Sequence, residues 1–84
     1  MKEVYDILVP KYLAVLNVEP QNCIENPTST VHLAWMLTEI QHNDTMSDTK
    51  KNRWLGYVQG CMTCMGLLDV QTERDATRQI FNGK

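Results

Sequence analysis

The side chains in this chain that could do chemistry are three cysteines, two histidines, and a set of basic and aromatic residues in its second half. Cys61-Met62-Thr63-Cys64 has the spacing of a CxxC motif. Redox pairs of that kind lie where a strand feeds a helix in a βαβ unit. Nothing before Cys61 reads as a strand: Gln59 and Gly60 continue a helix, which puts the two sulfurs one turn apart on it. A zinc site would need two further ligands from Cys23, His32 and His42, and none of these forms a second paired motif. Free cysteine commonly serves as a small buried apolar residue, so metal and redox chemistry are the least favoured readings. His32 and His42 have no serine or cysteine nucleophile tied to them by spacing and are expected at the surface or its boundary. Paired carboxylates, a phosphate-cradling glycine loop and a metalloprotease signature are missing from the sequence. The expectation is a protein that is not an enzyme, with no metal and no cofactor.

The basic residues are more suggestive. Lys50, Lys51 and Arg53 crowd together next to Trp54 and Tyr57, and Arg74 and Arg78 lie one turn apart in Glu73-Arg74-Asp75-Ala76-Thr77-Arg78. Arginine presents a planar fork that matches phosphate or carboxylate, and aromatic faces stack on bases. If the two clusters face each other, within one chain or across a dimer, Lys50, Arg53, Trp54, Tyr57, Arg74 and Arg78 form a pocket for a small anionic aromatic ligand such as a nucleotide. The plainer alternative is two solvated faces, with Glu73 and Asp75 paired within their own helix for a few tenths of a kcal/mol each.

The elements that must position these residues are helices. Val4 to Leu16 carries apolar residues at 4, 8, 12 and 16 and at 5, 9 and 13, a wide helical face interrupted by Pro10, which either kinks one helix or starts a second. Val18 to Pro27, with two prolines, reads as a connecting loop. Thr28-Ser29-Thr30 offers hydroxyls to the first turn of the next helix, where Leu33, Met36, Leu37 and Ile40 fall at i, i+3, i+4 and i+7; His32 and Trp35 lie off the centre of that stripe, and Asn43-Asp44-Thr45 ends it. Ser47 caps the central helix and Asp48 suits its positive end. Trp54, Leu55, Val58, Met62 and Met65 form its greasy face, and Gly66 terminates it. Asp69 then caps a last helix with Val70, Thr77, Ile80 and Phe81 turned inward. The expected fold is all-α, a single-domain bundle of three to four helices over about 3–17, 29–42, 48–65 and 70–82.

Gly56, Gly60 and Cys64 recur at i, i+4 and i+8 in the central helix. Glycine inside a helix costs about 1 kcal/mol relative to alanine, and the physical use of two is close approach by another backbone. Two readings stand: a tight contact inside the monomer, or a seam through which the chain self-associates.

At 84 residues the chain holds one domain with a thin core, a size at which self-association often contributes stability. A formal net charge of −2 argues against binding duplex nucleic acid by phosphate neutralisation. No apolar run reaches the roughly 18 residues needed to span a bilayer. The acidic start Lys2-Glu3-Val4-Tyr5-Asp6 is unlike a secretory leader, and an odd number of cysteines fits a reducing compartment. A cytoplasmic location, away from the membrane, is expected.

His32-Leu33-x-Trp35-Met36, Arg53-Trp54-Leu55-Gly56-Tyr57-Val58-Gln59-Gly60, Gly66-Leu67-Leu68-Asp69-Val70 and Glu73-Arg74-Asp75-x-Thr77-Arg78-x-Ile80-Phe81 resemble a group of short uncharacterised proteins from tailed bacteriophages. The likeness covers roughly residues 31 to 81, and Arg-Trp-Leu-Gly-x-x-Gln-Gly is its most specific part. It implies expression in the cytoplasm of an infected bacterial host. Small phage proteins without catalytic residues usually act by binding. One expectation is a homo-oligomeric sponge for a host signalling nucleotide, with Lys50, Arg53, Arg74 and Arg78 on phosphates and Trp54 or Tyr57 on a base. The other is an inhibitor or adaptor that occupies a host enzyme through an exposed helix face.

Overall fold

The computed structural model describes residues 2–69, 71–73, 75 and 78, and the side chains of Val4 onward among them. Three helices carry the fold: α1 (Lys2–Leu16), α2 (Thr30–His42) and α3 (Asp48–Cys64). Residues 71–73, 75 and 78 are helical as well, and no strand occurs among the described residues. The protein is an all-α small bundle.

Local chemistry sets the helix ends. The hydroxyl of Ser29 accepts from the amide of His32, and that of Ser47 from the amide of Lys50; each satisfies a donor the first turn leaves unpaired. α1 closes on Asn17, whose φ of 49° lets its amide bond back to Leu13 O at 2.9 Å. α3 closes on Gly66 at φ 78°: Gly66 N–H reaches Thr63 O at 3.0 Å and Leu67 N–H reaches Met62 O at 2.9 Å. This is the double closure that a left-handed glycine permits. Asp69 caps the last helical stretch, its carboxylate accepting from the Thr72 amide at 2.9 Å.

α1 runs through Pro10 as one helix. Proline denies the Asp6 carbonyl its donor, and both Asp6 and Pro10 are exposed, so water can serve that carbonyl.

The core joins Leu8, Val9 and Tyr12 of α1, Leu33, Leu37 and Ile40 of α2, and Val58 and Met62 of α3, all essentially inaccessible. α2 packs against both other helices. Two hydrogen bonds fix α1 beside α3: Tyr5 Oη donates to Asn52 Oδ1 at 2.9 Å, and Gln59 Nε2 donates to Tyr12 Oη at 2.9 Å. Both pairs are 47 residues apart in sequence. An equal advance along both helices means that α1 and α3 run in the same direction, with two helical turns between the pairs. Met65, expected on the greasy face of α3, lies beyond the helix and is 41% exposed. Trp54 is half-buried at the edge of the core.

The last helical stretch is tied to α1 by a buried carboxylate. Glu73 is 7% exposed; it accepts a hydrogen bond from Tyr12 Oη and pairs with Lys11 Nζ at 3.0 Å. Pairing of Glu73 within its own helix is therefore corrected: its partners come from α1, because the chain turns back at Gly66 and brings residue 73 over Tyr12. Val70, Thr77, Ile80 and Phe81, expected to face inward, lie outside the described residues or side chains.

Candidate functional site

Spacing on two helices and the folding back of one loop build an aromatic groove. His32 and Trp35 are one turn apart on α2, with ring centroids 5.4 Å apart. Trp35 meets Trp54 of α3 at 5.8 Å, tilted by 44°, a favourable offset for aromatic pairs. The loop after α1 returns over these rings. Gln21 N–H bonds Val31 O at 3.1 Å, Cys23 N–H donates to His32 Nδ1 at 3.0 Å, and Tyr57 Oη donates to Pro27 O at 3.2 Å. The result is a groove of about 710 Å3 with Asn22, Ile24 and Pro27 on the loop side, His32, Trp35 and Met36 on α2, and Arg53, Trp54 and Tyr57 on α3. The groove is wide and open to solvent, not enclosed.

The sequence-derived site residues divide over this geometry. Arg53, Trp54 and Tyr57 share the groove. Lys50 stands over the Trp54 ring, 5.2 Å from its centroid, an arrangement in which the ammonium is held by the ring quadrupole. Arg78 does not line this groove; it is exposed, with Nη1 4.0 Å from the Asp75 carboxylate. Arg74 lies outside the described residues. Desolvation, and next the neighbouring Cys61 thiol, push the Tyr57 phenol above its usual range.

Gly56, Gly60 and Cys64 lie along one face of α3. Among the described residues, and apart from the flanking residues and the adjoining backbone of α3 itself, no atom lies within 4 Å of where a Cβ would stand on Gly56 or Gly60. α2 packs on the Leu55–Val58–Met62 side of α3, and among the described residues Gly56, Gly60 and Cys64 are exposed. With Thr28, Tyr57, Cys61 and Met65 they line a second, shallow groove of about 540 Å3. Tyr57 borders both grooves.

His32, expected near the surface, is 8% exposed, because the loop at Cys23 covers it. His42 ends α2 and is exposed. Cys23, Cys61 and Cys64 are thiols, and among the described residues no three His, Cys, Asp or Glu side chains converge on a point that could hold a metal ion. No helix among the described residues is long and apolar enough to cross a membrane.

Sequence reasoning missed Trp35 and the loop residues as parts of the groove. The i, i+3 pairing of His32 with Trp35 at the edge of the α2 stripe was the available signal. No family model, no curated protein and no solved structure matches this chain.

Proposed function

We propose that the chain is a non-enzymatic binding protein that takes a small anionic aromatic ligand, of the nucleotide class, into the groove between α2, α3 and the loop after α1. The observation that carries this reading is the grouping of Arg53 with Trp35, Trp54 and Tyr57 along one open groove. Flat rings offer stacking area worth about 1–3 kcal/mol per base, and a guanidinium at the rim offers bidentate pairing to phosphate. Lys50, held over Trp54, adds positive charge at the same end. Arg74 and Arg78 enter this reading as phosphate ligands supplied by a second copy. Such a protein would work as a sponge, lowering the concentration of a host signalling nucleotide without turnover. A tailed-phage protein countering a bacterial defence from the host cytoplasm, as the Arg53–Gly60 motif suggests, would need nothing more.

A second reading has its own support. The open groove along Gly56, Gly60 and Cys64 could admit another helix at close range, either from a second copy or from a host enzyme to be inhibited. Among the described residues nothing from outside α3 lies over the two glycines; each weakens α3 by about 1 kcal/mol, a cost that a helix docked there would offset.

Native mass spectrometry of the protein, purified from its producing cell, tests both. A bound nucleotide or a nucleotide-dependent thermal shift, lost in Arg53→Ala and Trp54→Ala, supports the first reading. A stoichiometric protein partner without nucleotide supports the second. No shift with a panel of cyclic and linear nucleotides at high micromolar concentration overturns the first.

A further inference from the structure

His32 is nine-tenths buried, yet its hydrogen bonding is half complete. Its Nδ1 accepts the Cys23 backbone N–H at 3.0 Å, so Nδ1 carries no proton and the ring proton of the neutral imidazole is on Nε2. Among the described residues no group takes that Nε2 proton. Among the described residues no buried side-chain nitrogen or oxygen is left without a partner either, so Nε2 is not sealed in the core, and His32 is one of the residues that line the groove. The ring is also fixed in orientation, clamped by Cys23 at one nitrogen and packed 5.4 Å from Trp35. A preset donor of this kind, between a stacking surface and Arg53, is what a binding site uses to read the edge of a ring.

We infer that His32 Nε2–H is the groove's directional donor, and that the ligand is a flat anion with a hydrogen-bond acceptor, a ring nitrogen or carbonyl oxygen, in the plane of its aromatic ring. Nucleotides, whose bases carry such acceptors, satisfy that description; simple aryl phosphates do not. The inference rests on the aromatic groove being the ligand site.

The test compares adenosine 5′-monophosphate, which has ring nitrogen acceptors, with phenyl phosphate, which has a ring and a phosphate but no ring acceptor. His32→Asn places an amide oxygen near the Nδ1 position, so the Cys23 N–H keeps an acceptor, while the shorter side chain puts its NH2 near the former Cδ2 and leaves no donor at the Nε2 position. The wild-type protein binds adenosine 5′-monophosphate more tightly than phenyl phosphate. The variant loses about tenfold for the nucleotide, the effect of one hydrogen bond, and nothing for phenyl phosphate. Equal nucleotide binding by variant and wild type overturns the role of His32 while leaving the groove intact as a site. Failure of both probes to bind the wild type overturns the groove reading and this inference with it. Long-range nitrogen–proton NMR of the wild-type imidazole checks the tautomer without any variant: a proton on Nδ1 refutes the inference.

Discussion

Replacing Glu73 with alanine removes the one carboxylate that ties the C-terminal helical stretch to α1 among the described residues. The side chain is 7% exposed and serves two donors, the Tyr12 hydroxyl and the Lys11 ammonium. A buried hydrogen bond to a charged group contributes about 1.5–3 kcal/mol. The Lys11 side chain is 42% exposed, and solvent screening limits that pair to below about 1 kcal/mol. Together these give a loss of about 2–3 kcal/mol, or roughly 10–20 °C in Tm for a domain of this size. Glu73→Gln keeps an oxygen that Tyr12 can donate to and loses only the charge, so it should cost about 1 kcal/mol. Urea unfolding followed by circular dichroism measures both. A double-mutant cycle with Tyr12→Phe should show a coupling of at least about 1 kcal/mol between the two positions. An alanine variant within about 0.5 kcal/mol of wild type, or a glutamine variant as damaged as the alanine one, would refute the reasoning.

Gly60→Ala should raise the stability of the dilute monomer by about 0.5–1 kcal/mol, since nothing from outside α3 lies within 4 Å of the added Cβ and alanine is the better helix former. If the stripe seats a second copy, the same change weakens self-association, which sedimentation velocity reads directly. Asp69 is held below the usual aspartate range, chiefly by the Thr72 backbone N–H, with smaller contributions from the Thr72 side chain and the Gln71 backbone. A depressed folded-state pKa stabilises above the unfolded value and is lost as pH falls through the folded one, so the cap's contribution should disappear progressively below about pH 4. An acid titration comparing wild type with Asp69→Ala should show the two stability curves converging there. Ser29→Ala removes the hydroxyl that accepts from His32 N–H and should lower Tm by an amount equivalent to about 1 kcal/mol.

What could be read directly from the sequence was local. Ser29, Ser47 and Asp69 act within three residues of themselves, and Leu33, Leu37 and Ile40 share a face by helical spacing alone, so side-chain type and period were enough to place them. Arg53, Trp54 and Tyr57 were gathered for the same reason, all lying within two turns of one helix. His32 and Glu73 escaped because their surroundings come from elsewhere in the chain. The Cys23 amide reaches His32 only after the loop folds back, and Tyr12 reaches Glu73 only after the turn at Gly66. The glycine stripe was visible in the sequence as a row of small side chains. Which side of α3 it occupied relative to α2 depended on how Leu55, Val58 and Met62 seat in the core.

The central claim is that a ligand enters the groove between α2, α3 and the loop after α1. Backbone amide NMR of the full chain, titrated with adenosine 5′-monophosphate and with a cyclic dinucleotide, tests it most directly. Binding in the groove gives saturable shifts clustered at residues 22–27, at His32 and Trp35, and from Arg53 to Tyr57. Shifts confined to Gly60–Met65, or scattered over the basic residues without saturation, would contradict it.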